Sequence, residues 1–87
     1  MKLKYQLAVQ EIAGTYMAVA VGADARKYSN VLNLNETGKE IVELLQQDTT
    51  VDAIVTALSQ KYEGEESVIR ASVEKIIQKM KEEGLLV

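Results

Sequence analysis

Odd positions from residue 3 to residue 9 are apolar (Leu3, Tyr5, Leu7, Val9) and alternate with Lys2, Lys4, Gln6 and Gln10. That period of two marks a strand with one buried face, and a first strand is expected over residues 3–9. After Ala13-Gly14 the run Thr15-Tyr16-Met17-Ala18-Val19-Ala20-Val21 is rich in strand formers and stops at Gly22, which predicts a second strand joined to the first by a tight hairpin. Residues 22–27 are a polar connection, and a shorter alternation through Tyr28, Leu32 and Leu34 predicts a third strand over residues 28–34.

From Asn35 the period changes to that of a helix. The Asn35 side chain suits an N-cap, and Glu36 places a negative charge at the positive end of the helix dipole. Ile41, Val42, Leu44 and Leu45 form the apolar stripe, and Gln46-Gln47-Asp48 reads as the exit. A second helix is expected with Thr49 as its cap and Asp52 reaching back to it, burying Val51, Ile54, Val55, Leu58 and Tyr62. Gly64 breaks the pattern. Beyond it Glu65 and Glu66 charge the first turn of a third and longest helix, whose buried face is Ile69, Val73, Ile76, Ile77 and Met80. Lys79 and Lys81 in its last turns and Gly84 as a left-handed cap mark its end, with Leu85-Leu86-Val87 folding back on the core.

Three strands followed by three helices imply an α+β fold in which the helices cover one face of a three-stranded antiparallel sheet, in a winged-helix-like order, as a single domain over residues 1–87. So small a sheet leaves an unpaired strand edge, and the third helix is the natural element to lie beside it. Val68, Ser72, Lys75, Ile76 and Lys79 sit at the margin of that helix's buried face. Val68 and Ile76 have a plain structural reading as core, and Lys75 and Lys79 as solvated surface.

Composition narrows the function. The chain contains no histidine and no cysteine, so the commonest general base near neutral pH, thiolate chemistry, disulfides and the usual zinc ligands are all missing. The acid pairs Glu65-Glu66 and Glu82-Glu83 flank helix ends, where they complement dipoles or face water, and nothing supplies a nucleophile with its base. No catalytic residue, metal site or cofactor is expected. A net charge of −3 argues against nucleic acid, which needs a local cationic excess. Without an apolar segment of spanning length or a signal-peptide pattern, no membrane partner is expected and the cytoplasm is the expected location.

The motifs from Leu32 onward resemble the PqqD family. They are the turn Leu34-Asn35-Glu36-Thr37-Gly38, the helix with Ile41 and paired Leu44-Leu45, the Thr50-Val51 start, the helix ending near Tyr62, and the closing Gly84-Leu85. Two turns depart from the family pattern, with Ala23-Asp24-Ala25 in place of Pro-Glu-Gly and Gln47-Asp48-Thr49 in place of Cys-Asp-Gly. The resemblance implies a RiPP recognition element, a non-enzymatic domain that holds the leader segment of a ribosomally made precursor peptide for a radical or other peptide-modifying enzyme. It further implies that the leader adds as an antiparallel strand beside the third strand and packs against the third helix. Here that groove would comprise Tyr28, Asn30, Val31, Leu32 and Asn33 on one side and Val68, Ser72, Lys75, Ile76 and Lys79 on the other.

Two readings compete. A winged-helix DNA-binding regulator would share the topology, but the third helix mixes Arg70, Lys75, Lys79 and Lys81 with Glu66, Glu74, Glu82 and Glu83. A structural adaptor would pair its open edge with a second copy, giving a homodimer.

Overall fold

The computed structural model describes residues 1–87. Three strands, β1 (Leu7–Ile12), β2 (Thr15–Ala20) and β3 (Leu32–Leu34), precede three helices, α1 (Glu36–Leu44), α2 (Val51–Lys61) and α3 (Glu66–Glu82), so the expected α+β order holds. The strands lie side by side as β1-β2-β3, antiparallel throughout.

Register is set at the hairpin. Ile12 faces Thr15 across the two-residue turn Ala13-Gly14, where both residues have positive φ (52° and 80°). This is the backbone of a type I′ turn, whose twist matches the flanking strands. With that register Leu7 pairs with Ala20, and Val21 extends the ladder by one amide, bonding the Gln6 carbonyl at 3.0 Å. The chain then leaves the sheet through a 3₁₀ turn at Gly22–Asp24. Residues 3–5 therefore overhang β2, and the first strand begins at Leu7 rather than Leu3. The overhang pairs elsewhere: Leu3 bridges Leu86, and Lys2 and Val87 exchange backbone bonds of 3.1 and 2.9 Å. The alternation was real, but its lower half serves the C-terminal tail. The third strand is likewise shorter than residues 28–34, because only Leu32, Asn33 and Leu34 find partners, in Ala18, Met17 and Tyr16.

Side-chain caps mark the starts of α1 and α2. The Asn35 carboxamide oxygen accepts from the Gly38 amide at 2.7 Å. At α2 the cap is Thr50, not Thr49: the Thr50 hydroxyl accepts from the Ala53 amide at 3.1 Å, while the Thr49 amide bonds the Met1 carbonyl at 2.8 Å. Asp52, expected to reach back to the cap, instead accepts from Arg70 of α3 at 2.8 Å. Gly84, with φ of +72°, turns the chain after α3 so that Leu85 enters the core.

One aliphatic cluster joins every layer. Leu7, Ala18 and Leu32 come from the sheet, Ile41, Val42 and Leu45 from α1, Ile54, Val55 and Leu58 from α2, Val73, Ile77 and Met80 from α3, and Leu85 from the tail. Ile69 and Ile76 of α3 are only half-buried, which puts them at the margin of the helix's packed face. None of the helices is long and apolar enough to cross a membrane.

Ala13 carries the one positive φ among residues other than glycine, a conformation that strains an L side chain and that Asn tolerates. Ala13→Asn is expected to raise unfolding free energy by about 0.5–1 kcal/mol, read as a higher urea midpoint at unchanged slope.

Candidate functional site

β3 is an outer strand, bonded on one side to β2. None of the backbone bonds made outside the helices and strands involves residues 31–34, so its other side presents free amides and carbonyls. Its side chains alternate as a strand requires: Leu32 is buried, Asn33 is exposed and Leu34 is half-buried.

Alongside that edge lies a hollow of about 180 Å³ lined by Leu32, Asn33, Leu34, Asn35, Gly38, Ile76, Lys79 and Met80. A second, of about 330 Å³, continues it along α3 and is lined by Asn35, Ser72, Lys75, Ile76 and Lys79. Asn35, Ile76 and Lys79 belong to both, so the two form one groove with β3 as one wall and α3 as the other. A third hollow of about 230 Å³ opens further toward the start of α3, among Thr37, Leu58, Tyr62, Glu63, Val68, Ile69 and Ser72. The opposite sheet edge, β1, has no hollow along residues 8–12.

Of the residues selected from sequence, Leu32, Asn33, Ser72, Lys75, Ile76 and Lys79 meet in the groove. Val68 is 62% exposed and lines the third hollow, joined to the groove through Ser72. Asn30 and Val31 are exposed on the segment leading into β3, outside the hollows. Tyr28 is placed differently. It is 8% exposed, its ring stacks on Tyr5 at 6.1 Å between centroids, and its hydroxyl donates to Glu83 at 2.7 Å. Burial first, and then the Glu83 hydrogen bond and charge, push its pKa up to about 12. Tyr28 thus ties the segment before β3 to the end of α3 and lies outside the groove hollows.

Sequence reasoning passed over Asn35, Gly38 and Met80 as lining residues. Gly38 carried the readable signal, a glycine in the first turn of a helix. A Cβ there would sit 3.2 Å from both the Asn35 carboxamide oxygen and a Leu34 methyl, so the missing side chain lets α1 start hard against β3.

Charges around the groove are distributed unevenly. Lys61 donates to Glu40, a contact that, more than any other, holds the Glu40 carboxyl below the usual carboxylate range; Lys39 also lies within ion-pair reach of Glu40 and of Glu43. Arg70 pairs with Asp52 and Glu66. Lys75 and Lys79 form no ion pair, and no carboxylate lines either groove hollow.

An antiparallel sheet with one bare edge, backed by three helices of which the longest walls a groove along that edge, defines the class: a small α+β domain with a single lined strand edge. The chain belongs to the PqqD family, whose sequence profile, described as Coenzyme PQQ synthesis protein D (PqqD), matches residues 19–86. The fold is also that of two solved structures. One, described as TbiB1 in complex with the TbiA(beta) leader peptide, superposes with a TM-score of 0.74 at 16% identity over 99% of this chain and 94% of that one. The other, described as lasso peptide synthetase B1 complexed with the leader peptide, gives 0.69 at 20% identity over 97% and 93%. No curated protein matches the sequence significantly.

Because the Tyr28 phenol binds its proton more tightly folded than unfolded, its contribution to stability is whole below about pH 10 and is lost as pH rises from there toward about 12. Tyr28→Phe is expected to cost about 1 kcal/mol at neutral pH and to abolish that loss, read by urea unfolding at neutral and alkaline pH. It should also remove a tyrosinate absorbance step near pH 12.

Proposed function

We propose that this protein is a non-catalytic peptide-binding adaptor that captures the leader segment of a ribosomally synthesised precursor peptide and presents it to a modifying enzyme. The observation that carries this reading is the bare β3 edge with a groove beside it. A strand edge offers a row of backbone donors and acceptors to any extended chain, which supplies affinity, and pockets for alternate side chains supply selection. Here Leu32, Leu34, Ile76 and Met80 provide an apolar floor next to that row. Membership of the PqqD family supports the reading. So does the likeness to two proteins that are each described in complex with a leader peptide.

Affinity and choice of partner would then have separate sources. Backbone bonding to β3 is indifferent to sequence, so discrimination falls to side chains entering the groove, above all those reaching Ile76, Lys75 and Lys79. The adaptor needs no chemistry of its own, in keeping with a chain that carries neither histidine nor cysteine.

The test uses synthetic leader segments of short peptides encoded beside the gene, titrated into labelled protein by fluorescence anisotropy. One leader is expected to bind at micromolar concentration or tighter. Ile76→Asp, which sets a charge on the groove floor, should weaken it at least tenfold while leaving the circular dichroism unchanged. Binding that survives Ile76→Asp undiminished would contradict the groove assignment.

A further inference from the structure

Ion pairing is uneven around the groove. Lys75 and Lys79 stand one helical turn apart and face the same hollow with Asn35, Ser72 and Ile76. Like charges at that spacing repel. Of the other helix cations, Lys39 and Lys61 pair with Glu40 and Arg70 with Asp52 and Glu66, while Lys81 in the last turn of α3 is unpaired but lines neither groove hollow. On α3 itself, Glu82 accepts from Gln78 and Glu83 from Tyr28. The groove therefore holds two unneutralised cations in a chain whose net charge is −3. Its other end has an apolar floor of Leu32, Leu34, Ile76 and Met80, with Asn33, Asn35 and Lys79 also lining it.

These two ends have a spacing that an extended chain can match. From Ser72 to Met80 the helix rises about 12 Å, the reach of about four residues of strand. Successive side chains on one face of a strand recur every second residue, about 6.7 Å apart. A strand laid on β3 can thus drop one side chain into the apolar hollow and the next on the same face between Lys75 and Lys79.

Resting on the peptide-binding reading above, we infer that the occupant is an acidic extended peptide in which an apolar side chain and a carboxylate sit two residues apart. Ile76 and Met80 select the first and the Lys75/Lys79 pair selects the second. The carboxylate relieves the repulsion between the two lysines and gains hydrogen bonds from ammonium groups already directed at the groove.

The experiment is selection from a phage-displayed library of extended peptides randomised at alternate positions, run in parallel against the wild-type protein and against the double variant Lys75→Glu/Lys79→Glu. Both substituted positions are exposed, so the variant is expected to fold, which circular dichroism checks. Wild type should enrich an apolar residue followed or preceded two positions away by Asp or Glu, and the double variant should enrich Lys or Arg at that second position. For one selected peptide, Glu→Lys should weaken wild-type binding about tenfold at low salt, and the difference should shrink as salt rises. Enrichment of apolar residues without an acidic one, or acidic enrichment that persists against the double variant, would overturn the inference and leave peptide binding standing. Failure to enrich any sequence would overturn both.

Discussion

Everything at the groove depends on how β3 is held. Three residues long, it is bonded on one side to β2 and left bare on the other. Backbone pairing alone would not fix so short a strand; burial does. Leu32 points into the cluster shared by β2, α1 and α3, a contribution of about 1.5–3 kcal/mol for a leucine fully removed from water. On either side of it, Tyr28 is tied to the end of α3 through Glu83 and Asn35 caps α1. The edge is thus packed on its inner face and unsatisfied on its outer one, the state from which an edge could template another strand with little ordering of its own.

The same few residues serve both stability and site. Gly38 lets α1 begin close against Leu34, and that closeness shapes the hollow. Met80 fills the core and also forms part of the groove floor. Ile76, one turn before it, is only half-buried. Its exposed remainder faces the groove, with no further strand beyond β3 to cover it. On the surface of α1 and α2, lysines are drawn to Glu40, while α3 keeps Lys75 and Lys79 uncommitted, so the groove differs in charge from the helices around it.

Much of this was legible in the sequence wherever the cause was local. The run of strand formers at residues 15–20, the Asn35 cap, the aliphatic stripes of the helices and the turn at Gly84 all follow from chemistry within a few residues. What was not legible depended on partners far along the chain. Leu3 and Tyr5 continue the alternation of β1, but the hairpin register leaves them beyond the end of β2, where Leu3 bridges Leu86 and Tyr5 stacks on Tyr28. Tyr28 reads as a strand and groove residue until Glu83, 55 positions away, claims its hydroxyl. Asp52 looks like a capping-box acid until Arg70 is brought beside it. The margin of α3's buried face was readable because helical periodicity defines it, whereas Asn35 and Gly38 become lining residues only where the start of α1 meets α3.

The most direct test is hydrogen exchange at single amides, followed by ¹⁵N NMR on the free protein and with a bound leader peptide. The outward amides among residues 31–35 should exchange fast in the free protein and become strongly protected in the complex. Cross-strand contacts between peptide and β3 backbone protons should appear together with that protection. Binding that leaves those amides fast, with protection gained at β1 or along α1 and α2, would contradict the placement of the peptide on the β3 edge.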